Sequence, residues 1–143
     1  MCRHAPMFAM AMILPPVLLA IASCTATPDD EADALGAPDV TLAQIAEGSY
    51  LYHWNDCRKC HYSSAVGGNP EHGGPSLIDD QWLHCDGSIE GIQRVILQGI
   101  PLDRLKNPAR DSSMPAASEM ELSEEHARLI ATYIWVLGHR ESN

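Results

Sequence analysis

Two cysteines and a histidine stand in the order Cys57-Arg58-Lys59-Cys60-His61. Thiols at this spacing can add to both vinyl groups of one haem, while the next residue presents an imidazole to the iron. The same C-x-x-C could serve a dithiol–disulfide couple, but that chemistry belongs between a β-strand and a helix. Here the segment ahead of it, residues 43–56, reads as helix, and β-branched residues are scarce. A zinc site would need two further ligands. The best on offer are His84 and Cys85, neighbours in sequence whose side chains seldom turn to one ion. A Cys57–Cys60 disulfide would leave His61 without a role. Haem attachment uses all three residues; thiol redox, zinc and a simple disulfide are the competing readings.

The elements that must position this motif are helical. Residues 41–53 open on Thr41-x-x-Gln44, a capping box, and set Leu42, Ile45, Ala46 and Ser49 on one face. Residues 88–98 repeat the apolar period through Ile89, Ile92 and Ile96. Ser123 can cap a further helix, with Glu124 and Glu125 in its first turn opposing the dipole. Ile130, Tyr133, Ile134 and Leu137 form its apolar face, and Gly138 is expected to end it. No strand pattern of any length is present. The expected fold is all-α, three to five short helices. Such a chain holds a thin core on its own, and a buried haem would supply apolar mass.

At residues 41–139 the chain resembles a monohaem class I cytochrome c. CRKCH is followed by Gly74-Pro75-Ser76-Leu77, similar to the family's GPxL segment, and Met114-Pro115-Ala116 precedes Leu122-Ser123-Glu124-Glu125 and Tyr133-Ile134 much as in its MPA…LSxE…YI ending. The resemblance implies one covalent haem c, bound through Cys57 and Cys60 with His61 as proximal ligand. It implies that the Pro75 carbonyl orients His61, that Leu77 packs on the haem, and that Met114 is the distal ligand. Gly48 matches a glycine that lets the last helix cross closely, with Tyr52, Ile130 and Tyr133 at the crossing. Met120 is the competing thioether, but it stands too near the LSEE cap to fit the pattern. Trp82 offers its indole N–H to a haem propionate or, equally, fills the core. His72, His84, His126 and His139 read as solvated surface residues. Cys85 departs from the family and reads as a buried, inert thiol.

A His/Met iron has no vacancy for a substrate, and a methionine ligand raises its potential. The expected function is therefore a single-electron carrier between redox partner proteins, not an enzyme, with no small-molecule substrate. The alternative is a small haem enzyme or a gas or redox sensor with an open distal site. Arg58, Lys59, Arg104, Lys106 and Arg110 could steer an acidic partner, but Asp103 and Asp111 dilute the group and a solvated loop accounts for it as well.

Composition closes the remaining questions of class. The 143 residues suit one domain, and nine Lys+Arg against nineteen Asp+Glu leave a net charge of −10, which nucleic-acid phosphates would repel. Arg3 followed by an apolar run over residues 7–22 reads as a secretory signal, residues 1–23, and Pro15-Pro16 argues against a spanning helix. Ile21-Ala22-Ser23-Cys24 resembles the bacterial lipobox, which implies a lipid on Cys24 and a membrane anchor. Residues 24–40 are acidic and poor in large apolar side chains, so they read as a flexible tether, on the order of 20 Å in span. Residues 140–143 read as a short tail. The domain is expected outside the cytoplasm, on the periplasmic side.

Overall fold

A computed structural model describes residues 40–68, 73–79, 81–106 and 112–141. The expected signal, Cys24 and nearly all of the tether lie outside the described residues, as do His72, Arg110 and Asp111. The described residues form four α-helices: α1 Leu42–Trp54, α2 Cys57–His61, α3 Ile89–Gln98 and α4 Glu124–Glu141. Single 3₁₀ turns stand at Leu102–Arg104 and Ala117–Met120. Among the described residues there is no strand, only an isolated antiparallel bridge between Ile100 and Met114. The fold is the small all-α arrangement of a class I cytochrome c.

The helix starts follow from their caps. Gln44 N donates to Thr41 Oγ1 (3.3 Å) and Thr41 N to Gln44 Oε1 (2.8 Å), completing the capping box of α1. Ser88 Oγ accepts from Gly91 N at 3.0 Å, and Ser123 Oγ from His126 N at 3.1 Å. Such caps contribute about 1 kcal/mol each. Asn55 closes α1, its backbone and side-chain nitrogens both donating to Leu51 O at 2.9 Å. Asp56 then takes a left-handed conformation, φ 64°, and turns the chain directly into α2.

Helices α1 and α4 cross at Gly48, where a Cβ would overlap the Leu129 carbonyl and come within 2.9 Å of Tyr133 Cβ. Tyr52 and Ile130 are fully buried there, and the Tyr52 and Tyr133 rings meet edge-on at 5.5 Å. This crossing corrects the expected face of α1. Leu42 and Ala46 are exposed, Ile45 and Ser49 are half-buried, and the buried residues are Gly48, Leu51 and Tyr52. Backbone approach at a glycine, rather than the largest aliphatic stripe, decides which side of α1 meets α4. The end of α4 is also corrected: Gly138 is buried within the helix, which continues to Glu141. Helix α3 packs on α4 through Ile92 and Ile96, both buried in the same apolar cluster as Ile130 and Ile134. What α1, α3 and α4 leave between them is a cavity.

Candidate functional site

The cavity has a volume of about 670 Å³, within the roughly 300–1,000 Å³ of small-molecule and cofactor sites. It is mostly apolar, and Cys57, Cys60, His61, Pro75, Leu77 and Met114 all line it. Residues far apart in sequence thus converge on one space. Cys57 and Cys60 are one helical turn apart on α2, which lies against the C-terminal end of α1. Neither thiol is in a disulfide, and Cys85 is free as well.

His61 is buried at the end of α2, and its Nδ1 lies 2.8 Å from the Pro75 carbonyl oxygen. In the tautomer that donates this bond, Nε2 keeps its lone pair for a metal. Backbone bonds hold the two segments together: Gly74 N donates to Cys60 O and Gly67 N to His61 O, each at 3.1 Å. Gly74 must be glycine for this approach, since a Cβ there would stand 2.8 Å from His61 Nδ1. Tyr62, the next residue, has φ 62° and ψ 165°. That region is essentially reserved for glycine and costs a side-chain-bearing residue about 1–3 kcal/mol. The Tyr62 carbonyl accepts from the Tyr52 hydroxyl at 2.7 Å and from Ala65 N at 3.1 Å.

Across the chain, Met114 is fixed through its backbone. Met114 N donates to Ile100 O at 2.9 Å and Ile100 N to Met114 O at 2.8 Å. Helix α3 leads through Gly99 into Ile100, so its end sets where Met114 stands. Met120 also lines the cavity, half-buried in the 3₁₀ turn. Its position six residues on hid that proximity, because the turn at Ala117–Met120 folds it back.

The thiols are not poised for redox chemistry of their own. Burial pushes the Cys57 thiol up to about 11, and burial also raises Cys60, offset in part by the Lys59 charge. A dithiol oxidoreductase depends on the opposite shift. Neither does a zinc set form: among the described residues no three His, Cys, Asp or Glu side chains gather where a metal ion could sit. The surroundings instead suit a haem: two neutral thiols, an oriented imidazole and apolar walls from Ile92, Ile96 and Ile134.

Residues 43–134 match the family described as "Cytochrome C oxidase, cbb3-type, subunit III". The chain belongs to this family. A relative from Rhodobacter capsulatus, "Cbb3-type cytochrome c oxidase subunit CcoP", is 42% identical over 87 residues, covering 59% of this chain and 27% of that protein. The chain therefore matches about a quarter of that relative's length. No solved structure matches it. As a member of the family the chain is an electron-transfer cytochrome that holds haem c covalently, with Cys57, Cys60 and His61 in the attachment spacing.

Two histidines read from sequence as surface, His84 and His139, are half-buried. His84 lines the cavity beside Cys85, the thiol read as buried and here half-buried, and burial lowers the His84 pKa with the Lys106 charge adding to the effect. His139 is half-buried and stacks on Trp135, ring centroids 3.8 Å apart. Trp82 is half-buried on the cavity wall, and a Cβ at Gly87 would overlap its indole. The sequence reading missed Trp54, 71% exposed, which stands at the cavity and pairs with Tyr50 at 5.8 Å. Exposed aromatics four residues apart ahead of the motif were the available signal. Lys59 pairs with Asp56 at 2.7 Å, so part of the basic group near the motif is compensated, while Arg104 and Lys106 are exposed.

Proposed function

We propose that this chain is a monohaem c-type electron carrier, tethered to a membrane through a lipid on Cys24 and passing single electrons between redox proteins on the periplasmic side. The observation that carries the reading is the shared cavity: two thiols, an oriented imidazole and a methionine line one mostly apolar space. In this reading Cys57 and Cys60 would form the thioether links, and His61 and Met114 would supply an imidazole and a thioether to the iron. Bound haem supplies the one-electron couple of its iron. The Pro75 carbonyl fixes the His61 ring and makes the imidazole a better donor. The Met114 thioether favours the ferrous state and so raises the potential. Ile92, Ile96 and Ile134 keep water from the site, so little solvent must reorganise as charge changes. Leu77, half-buried on the cavity wall, would pack against the bound group.

The named role of the relative, a subunit of a cbb3-type cytochrome c oxidase, favours a membrane redox complex as one partner. Among the described residues no helix is long and apolar enough to cross a membrane. Attachment therefore rests on the N-terminal segment in this proposal.

Optical spectra of the holoprotein test the ligand set. Covalent haem with the weak far-red sulfur–iron band in the oxidised form is the expected result. Met114→Ala should abolish that band and Met120→Ala should leave it. A protein lacking the band and binding carbon monoxide readily when reduced would instead be an open-site haem enzyme or sensor.

A further inference from the structure

We propose that Tyr52 is a positioning residue for the haem ligand His61: its hydroxyl holds the Tyr62 carbonyl, and with it the turn that aims the imidazole. The inference rests on the reading of His61 as the iron ligand. Tyr52 is fully buried in α1, its ring against Tyr133, so a phenylalanine would fill the same space without a polar atom to desolvate. Among the described residues the hydroxyl has one hydrogen-bond partner, the Tyr62 carbonyl at 2.7 Å. That carbonyl already accepts from Ala65 N, so it would not be left bare if the Tyr52 bond were absent. The second bond therefore serves geometry rather than satisfaction.

The geometry in question is unfavourable by itself. Tyr62 occupies φ 62°, ψ 165°, directly after the ligand, and its side chain is 40% exposed and so gives little anchorage. From Tyr62 the constraint passes to Pro75 through named bonds. Ala65 N is tied to Tyr62 O, Leu77 N donates to Ala65 O at 2.8 Å, and Pro75 O meets His61 Nδ1 at 2.8 Å. Releasing Tyr62 would let its backbone relax towards negative φ, shift the 62–65 turn and lengthen the His61–Pro75 bond. A weaker bond makes the imidazole a poorer donor to iron.

The experiment uses haem-loaded protein: wild type, Tyr52→Phe, and Tyr52→Phe combined with Tyr62→Gly. Glycine is at home in the Tyr62 conformation, so it should replace what the hydroxyl does. In Tyr52→Phe the haem-methyl hyperfine shifts of the ferric protein should move, because they report the imidazole plane, and the midpoint potential should rise. In the double variant both should return to wild-type values. Unmoved shifts in Tyr52→Phe, or a change that persists in the double variant, would overturn the inference. If Tyr52→Phe alone yields no holoprotein, recovery in the double variant supports the proposal and failure to recover overturns it. A wild-type iron without imidazole ligation would overturn the proposed function as well; wild-type imidazole ligation with unmoved shifts removes this inference alone.

Discussion

Around His61 the chain is tied at the side chain and on both flanks, whereas Met114 is held by the backbone pair it makes with Ile100. The imidazole has an N–H to give, so Pro75 O can set its ring orientation directly. A thioether has no donor, so the fold can place the Met114 backbone and leave the sulfur to find its own rotamer. The His61 wall therefore fixes orientation and the Met114 wall fixes position. A carrier needs the first to retain its cofactor and the second to adjust its potential.

The strongest way to break this comparison is to remove each ligand. His61→Ala should prevent accumulation of stable holoprotein, read as haem absorbance per protein. Met114→Ala should retain covalent haem, lose the far-red band, gain carbon monoxide binding and fall in potential by a fraction of the roughly 0.8 V that axial ligation spans. Equal loss of haem in both variants would mean that the two walls do the same work.

Two glycines sharpen it further. Gly74→Ala pushes a methyl against His61 Nδ1 and Gly48→Ala pushes one against the Leu129 carbonyl. Each should cost about 1–3 kcal/mol in denaturant unfolding of the holoprotein, as overpacking does. Only Gly74→Ala should also shift the midpoint potential, because Gly48 lies at the helix crossing and does not line the cavity.

The smallest effect concerns pH. Asp86 Oδ1 accepts from Ser88 Oγ at 2.7 Å and Ser88 N at 3.1 Å at the start of α3, and these bonds hold its carboxyl below the ordinary carboxylate range. A depressed pKa contributes stability that is present above the unfolded value and lost as pH falls through the folded one. Asp86→Asn should slightly flatten the acid limb of the stability curve. Since α3 leads to Ile100, the far-red band should report this loss before haem–imidazole ligation does.

Much of this was legible because it is local. The capping box, the Ser123 cap and the C-x-x-C-H spacing are fixed by residues within a turn of one another. The buried side of α1 was not, because Gly48 contributes no apolar side chain to a periodicity even though it governs the crossing. The Gly138 stop failed for a related reason: a glycine that ends one helix lets another pack tightly, and here Gly138 lies near the Leu77 carbonyl. Met120 and His84 reach the cavity through turns whose path no side-chain period encodes. The Tyr62 conformation was also out of reach, since a tyrosine gives no hint of a glycine-like backbone.

The Ile100–Met114 bridge has a consequence for how such a chain can diversify. Because the pair closes the segment 101–113 at its base, lengthening that segment adds only closure entropy, about 0.6 kcal/mol per doubling. Insertions there would leave Met114 in register. The sequence between the two bridge residues can thus be rewritten while the pairing that places Met114 is inherited unchanged.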